Sequence, residues 1–131
     1  MILSVSTFLM FTGQAEQAMN LYASLFKGAT INITERWGAG EPVAEGAIKV
    51  ATLSLCGHQV NCFDSPAVHA FTFTPSISLF VNLDDEAELE TIFNTLSEGG
   101  GVLMPLNNYG FSKKFGWLND RFGVSWQLNV P

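Results

Sequence analysis

Uncharged hydrogen-bonding side chains recur at every second position along strand-like runs of this sequence. In some of these runs a phenyl ring lies on the same face, whereas the other face is apolar, as expected if helices cover it. Hydroxyl and amide groups among aromatic rings can bind and orient a small molecule, so we expect a small-molecule site here. In the runs 76–83 and 124–130 these residues are Ser76, Ser78, Phe80, Asn82, Ser125, Gln127 and Asn129.

The residues that usually carry nucleophilic or metal chemistry are few and scattered. Cys56 and Cys62 match no zinc spacing and do not make a disulfide framework, so we interpret them as small hairpin residues, with a reactive thiol as the alternative. His58 lies beside a hairpin glycine, and His69 lies in an unpatterned segment. Both histidines are typical of solvated positions, and the alternative is a base that reaches the site.

Charged residues near the carboxyl terminus suggest structure more than chemistry. Lys113 and Lys114 fit a solvated loop, although a cation gate for an anionic ligand is the alternative. Asp120 precedes Phe122 and Gly123, which indicates a turn in which the aspartate accepts backbone N–H bonds. The acidic residues 84–90 favour the start of a helix, with capping-box spacing between Asp85 and Glu88.

The elements that must position the polar face occur twice. Strand-like and helix-like runs follow the order βαβββ in module one, residues 1–64, and again in module two, residues 72–131, with a connection at 65–71. Shifting the sequence by 72 positions places Ser6 and Phe8 on Ser78 and Phe80, and a shift of 66 places Asn61 on Gln127. The repeat therefore predicts that Ser6, Phe8, Met10, Asn61 and Phe63 line the matching face of module one.

Length and composition restrict the class of protein. A chain of 131 residues with 47% hydrophobic residues predicts one domain with a sizeable core. A formal charge of −6 makes nucleic acid or an anionic membrane a poor partner. No apolar run reaches the roughly 18 residues of a membrane span, and the apolar start reads as a buried strand, not a signal peptide. We expect a cytoplasmic protein.

Several segments together resemble the PhnB-like branch of the vicinal oxygen chelate superfamily. They are FTGQAEQAMNLYASLF near the amino terminus and SLFV, SEGG, MPL, YGFSKKFGW and DRFGVSWQLN in the second half. Members of this branch are often labelled 3-demethylubiquinone 3-methyltransferase. This sequence has no glycine-rich strand–turn–helix motif for S-adenosylmethionine, so we do not infer methyl transfer from that label.

The resemblance implies an α+β glyoxalase/bleomycin resistance fold, in which two βαβββ modules form a curled mixed sheet with helices outside. It also implies a ligand cup, lined here by Ser6, Phe8, Asn61, Phe63, Ser78, Phe80 and Gln127, with Trp117 and Tyr109 near its mouth. Metal-using members coordinate at positions matching Ser6, Asn61, Ser78 and Gln127. Neutral hydroxyls and amides are poor transition-metal ligands, so we expect neither metal nor cofactor.

Three functions remain open at this stage. The first is metal-free small-molecule binding, and the second is an enzyme of the same superfamily (lyase, transferase or dioxygenase-like) acting on a small metabolite. The third is a structural or regulatory dimer whose cup is filled by Phe8, Phe63 and Phe80. Because curled sheets leave edge strands to be covered, and related families commonly pair their modules, we expect a homodimer.

Overall fold

In the computed structural model, which describes residues 1–131, one series of elements occurs twice along the chain. The chain divides into unit 1, Met1–Ala70, and unit 2, Phe71–Pro131. Each unit contains one helix and four strands in the order βαβββ, as the internal repeat predicts. The predicted α+β class is confirmed.

Unit 1 is a four-stranded mixed sheet with one helix. Its elements are β1 (Thr7–Phe11), α1 (Ala15–Leu25), β2 (Thr30–Arg36), β3 (Ile48–Leu55) and β4 (His58–Asp64). The strand order is β1-β4-β3-β2, with β1 and β4 parallel and the other neighbours antiparallel. The β1–β4 register places Phe8 beside Asn61 and Met10 beside Phe63.

Unit 2 repeats this sheet with the same order and register. Its elements are β5 (Leu79–Asn82), α2 (Glu86–Ser97), β6 (Gly101–Asn107), β7 (Lys114–Asn119) and β8 (Ser125–Val130). The strand order is β5-β8-β7-β6, and only β5 and β8 are parallel. Phe80 lies beside Gln127 in this register, so the two shifts found in the sequence correspond to equivalent strand pairs.

Strand β5 is shorter than the predicted run 76–83. Its pairing with β8 starts at Leu79, which lies beside Trp126, and β8 itself starts at Ser125. To extend β5, residues 76 and 77 would have to pair with residues that precede the start of β8. They form a turn instead. Ser78 is nevertheless held in place, because its hydroxyl bonds to that of Ser125.

The core of each unit lies between its helix and one face of its sheet. In unit 1 the apolar stripe of α1 is fully buried at Ala15, Ala18, Met19 and Tyr22. In unit 2, Trp126 and Leu128 of β8 are fully buried, as is Leu89 of α2. Asp85 caps α2 through a 3.1 Å bond from the Glu88 backbone N–H to Asp85 Oδ2, which confirms the predicted capping residue.

A tight turn precedes the last strand of each unit. Cys56 and Gly57 precede β4 with φ of 49° and 82°, and Gly123 precedes β8 with φ of 91°. Such positive φ values favour glycine because a side chain there is strained. No helix of the chain is both long and apolar enough to cross a membrane.

Candidate functional site

One face of each sheet packs against the helix of its own unit. We call the opposite face the helix-free face of that unit. In unit 1 it carries Phe8, Asn61 and Phe63, which alternate with the buried residues Leu9 and Cys62. In unit 2 it carries Phe80, Trp117 and Gln127, whose register places Trp117 and Phe80 on either side of Gln127. These are the strand faces that the alternation predicted.

A chain of hydrogen bonds crosses the helix-free face of unit 1. Gln59 Nε2 donates to Asn61 Oδ1 at 3.0 Å, and Asn61 Nδ2 donates to Ser6 Oγ at 2.8 Å. Ser6 therefore joins the predicted site, although it precedes β1. The next residue, Thr7, turns to the other side, where its hydroxyl lies 2.8 Å from His58 Nε2.

An aromatic row lies next to this polar chain. The ring centroids of Phe8 and Phe63 are 6.0 Å apart, and those of Phe63 and Trp37 are 6.1 Å apart. Lys49 Nζ lies 4.8 Å from the centroid of Trp37, a cation–π geometry. The Trp37 indole also donates to the Asp64 carbonyl at 2.9 Å, so its ring plane is fixed.

Unit 2 holds the larger polar chain. Trp117 Nε1 donates to Ser125 Oγ at 2.8 Å, and the hydroxyls of Ser125 and Ser78 are 2.7 Å apart. Gln127 Nε2 donates to Ser78 Oγ at 3.2 Å. The structure thus brings together Ser78, Gln127 and Trp117, three of the residues expected to line the site, through the hydroxyl of Ser125.

Tyr109 belongs to an aromatic cluster at one end of this face. Its ring stacks on Phe111 at 6.1 Å and meets the edge of Phe115 at 5.9 Å. Phe80 lies 6.3 Å from Phe115, so the cluster reaches β5. The Tyr109 hydroxyl donates to the Pro105 carbonyl, which leaves the ring, not the hydroxyl, as the group presented by this residue.

Sequence reasoning missed one polar residue of the unit 2 face. Asn119 lies opposite Ser125 in the β7–β8 register, two residues beyond Trp117. Its side-chain oxygen is buried and has no hydrogen-bond partner. The alternation of β7 could have placed Asn119 on this face, but only the packing shows that its acceptor is left without a donor.

Lys114 is not available to the helix-free face. It alternates with Phe115, and its ammonium pairs with Glu90 and, at 3.8 Å, with Glu86, both on α2. The hydrogen bond to Glu90 raises the pKa of Lys114 above its usual value, which keeps the side chain charged in that pair. The cation-gate interpretation is therefore wrong for Lys114, because its partners lie on the helix side.

Two buried aspartates organise the ends of strands and are not part of either polar chain. Asp120 Oδ1 accepts the backbone N–H groups of Phe122 and Val124 at 2.9 and 3.0 Å, which confirms the predicted turn. Asp64 accepts from Gly13, Ala15 and Ile48 at 2.8–3.0 Å. Asp64 thereby caps α1 from a distant strand, since Gln14 provides no side-chain cap.

The two cysteines differ in environment. Cys62 is buried, and its pKa is raised from 9.0 to about 12. Burial is the larger cause, and the negative charge of Asp64 is the smaller one. Cys56 is exposed at the hairpin turn. Both are free thiols, and neither takes part in the hydrogen bonds of the polar chains.

The fold defines a class of protein: two βαβββ modules in one chain, the fold of glyoxalase-related structures. The chain belongs to the PhnB-like family whose model is described as 3-demethylubiquinone-9 3-methyltransferase and matches residues 3–129. Both parts of the predicted resemblance are confirmed. The comparison with curated proteins finds no match.

Solved structures agree with this assignment. A PhnB protein from Bacillus cereus that carries the same methyltransferase name is 49% identical, with a TM-score of 0.93 over 98% of this chain and 99% of that one. Protein PA1353 from Pseudomonas aeruginosa is 30% identical, with a TM-score of 0.85 over 98% of each chain. A glyoxalase-related enzyme from Fulvimarina pelagi shares the fold at 13% identity, with a TM-score of 0.66 over 99% of this chain and 89% of that one.

The residues present do not fit the divalent metal used by other members of the superfamily. Ser6 and Asn61 offer a hydroxyl and an amide, and Ser78 and Gln127 do the same. Transition metals prefer imidazole, thiolate or carboxylate ligands. No group of three or more His, Cys, Asp or Glu side chains is arranged so that it could hold an ion. The side chains of both polar chains therefore offer hydrogen-bond donors and acceptors, not metal ligands.

Proposed function

We propose that this chain is a small-molecule-binding protein of the glyoxalase/bleomycin resistance type that works without a metal. The observation that carries the proposal is the repeated pairing of an amide with a serine hydroxyl, Asn61 with Ser6 and Gln127 with Ser78. A phenylalanine lies beside the amide in each register. Polar groups fixed among aromatic rings are the usual make-up of a small-molecule site.

The exposure of the phenylalanines supports an open binding face over a filled one. Phe8 is 61% exposed and Phe80 is 53% exposed. Rings of this size are normally buried unless a partner or ligand covers them, because each exposed ring keeps apolar surface in water. The alternative of a structural or regulatory dimer with a filled cup would require these rings to be buried.

An enzyme of the same superfamily is the second candidate function. The family description names a methyltransferase, and the Fulvimarina pelagi relative is described as an enzyme. General acid–base catalysis needs a titratable group in reach of the substrate. The polar chains of the helix-free faces contain only Ser, Asn, Gln and Trp side chains. This composition favours binding, and product formation by the purified protein would favour the enzyme.

We also propose that the protein is a cytoplasmic homodimer. The prediction of a buried strand at the apolar start is wrong for the residues before β1, which begins at Thr7: Ile2, Leu3 and Val5 are largely exposed. Ile77 before β5 is exposed as well. Exposed apolar side chains of this size are commonly covered by a partner. Light scattering at micromolar concentration should give twice the chain mass of 14.3 kDa, and a value equal to that mass would contradict the dimer.

The binding proposal is tested by a metabolite screen with thermal shift. A hit should raise the melting temperature of the wild type and lose its effect in Gln127→Leu, because the amide no longer fixes the Ser78 hydroxyl. Asn61→Leu tests the helix-free face of unit 1 in the same way.

Matched controls separate the site from general effects. Gln17→Leu makes the same change at an exposed position of α1, and Asn94→Leu does so on α2. Both controls should keep the full ligand-induced shift. A ligand whose shift is equal in the wild type and in all four variants would overturn the proposed site.

A further inference from the structure

The direction of the hydrogen bonds in unit 2 leaves one serine hydroxyl hydrogen without an acceptor. A serine hydroxyl has one hydrogen and two lone pairs, and an indole N–H can only donate. Ser125 Oγ accepts from Trp117, and Ser78 Oγ accepts from Gln127. The 2.7 Å contact between the two hydroxyls uses the hydrogen of one serine only. The hydrogen of the other serine has no acceptor in the chain.

Burial decides which serine presents this hydrogen. Ser125 is 3% exposed, so its hydroxyl is closed to a ligand. Ser78 is only half-buried and sits at the end of the hydrogen-bond chain. The Ser125 hydroxyl can donate inward to Ser78, and the Ser78 hydroxyl is then free to donate outward.

In unit 1 the hydrogen bonds run in the same direction, towards a serine, but involve different residues. Gln59 donates to Asn61, and Asn61 donates to Ser6. Ser6 Oγ is the last acceptor, and its own hydrogen is left over. Both units therefore end their polar chain at a serine O–H donor, and the two serines are equivalent under the internal repeat.

We propose that the ligand carries an uncharged hydrogen-bond acceptor, such as the carbonyl oxygen of a ketone or amide, on an aromatic or apolar body. This inference rests on the proposed function. The acceptor bonds to the Ser78 hydroxyl, and the body packs against Phe80 and Trp117. Ser6 offers an equivalent donor in unit 1. A ligand group that only donates would compete with the hydroxyl hydrogen instead of accepting it.

The charges of unit 2 explain why an uncharged acceptor is favoured over an anion. Two of the three cations of unit 2 are committed to α2 and its end, because Lys114 is paired with Glu90 and Glu86 and Arg121 lies 3.8 Å from Glu98, whereas Lys113 is exposed. Transferring a carboxylate from water to a site whose hydrogen-bonding side chains are all uncharged carries a large desolvation cost. The net charge of −6 adds long-range repulsion of anions.

Four probes of similar size test the ligand class: acetophenone, toluene, benzylammonium and benzoate. Each is titrated at millimolar concentration against isotope-labelled wild-type protein, with amide chemical shifts as the readout. One hydrogen bond contributes about 1 kcal/mol, so acetophenone should bind about fivefold tighter than toluene. Benzylammonium and benzoate should both bind more weakly than acetophenone.

Variants at Ser78 assign the donor. Ser78→Ala should remove the preference for acetophenone over toluene, and Ser78→Thr, which keeps the hydroxyl, should retain it. Ser24→Ala removes an exposed hydroxyl on α1 and should leave the preference unchanged. The side-chain amide resonances of Gln127 report whether that amide replaces the hydroxyl as the donor.

The outcomes separate this inference from the proposed function. Equal affinity for acetophenone and toluene, or tighter binding of either charged probe, overturns the ligand class while small-molecule binding on these faces stands. An unchanged preference in Ser78→Ala overturns the assignment of the donor. If none of the four probes shifts any resonance of the helix-free faces, both the ligand class and the proposed site fail.

Discussion

The carboxylate of Asp120 accepts the indole N–H of Trp126 at 2.9 Å inside the core of unit 2. Its other oxygen holds two backbone N–H groups of the turn before β8. One side chain therefore fixes both the turn that starts β8 and the largest buried ring of that strand. Because Gln127 follows Trp126 directly, this arrangement also sets the orientation of the polar face.

Asp120→Ala should destabilise the protein by roughly 3–5 kcal/mol, because buried donors left without an acceptor cost about 1–3 kcal/mol each. Urea denaturation followed by tryptophan fluorescence measures the loss. Asp84→Ala, the same change at an exposed residue, should alter the free energy of unfolding by less than about 0.5 kcal/mol. Similar stabilities of the two variants would contradict the anchoring role of Asp120.

Gly116→Ala should lower stability by about 1–3 kcal/mol, because inserting a methyl group into a packed core forces its neighbours to move. A Cβ at Gly116 would lie 2.4 Å from Phe93 Cε2 and 2.8 Å from Leu106 Cδ2. Gly101 is also in a strand, but a Cβ there meets nothing within 4 Å. Thermal unfolding should separate Gly116→Ala from Gly101→Ala, and equal melting temperatures would count against this packing.

One cysteine should react with a thiol reagent in the folded protein and two in the unfolded chain. Cys56 is exposed, whereas burial raises the pKa of Cys62 to about 12. Mass spectrometry after alkylation near pH 8 should locate the single label at Cys56. Labelling of both thiols at similar rates under native conditions would contradict the buried state of Cys62.

The raised pKa of Cys62 predicts that the free energy of unfolding decreases at alkaline pH. The folded-state pKa of Cys62 lies above its ordinary value of 9.0, so the protonated thiol contributes fully below pH 9. That contribution is lost as pH rises from 9 towards 12, where the unfolded chain ionises first. The decline in unfolding free energy over this window should be smaller in Cys62→Ala.

The purified protein should contain no stoichiometric transition metal. The prediction rests on the hydroxyl and amide groups at Ser6, Asn61, Ser78 and Gln127, which are weak ligands for such ions. Elemental analysis after purification without chelator is the measurement. About one zinc, nickel or manganese per chain, lost in Gln127→Ala, would refute it.

Much of the fold could be predicted because its signals are local. Alternation in β3 and β8, the helical stripe of α1 and the Asp85 cap each depend on residues within a few positions of one another. The repeat made Phe8 and Asn61 equivalent to Phe80 and Gln127, and the registers place Phe8 beside Asn61 and Phe80 beside Gln127.

The sequence by itself determined the two βαβββ modules and the uncharged character of the polar faces, since these follow from residue type and periodicity. Its resemblance to known segments indicated the family. Only the tertiary structure decided which groups bond to which. Ser78 meets Ser125 across 47 residues, Asp64 caps α1 across 49, and Lys114 turns to Glu90 across 24. Such contacts depend on strand register and on the packing of each helix, so the direction of each hydrogen-bond chain, and the Asn119 oxygen left without a donor, cannot be read from local patterns.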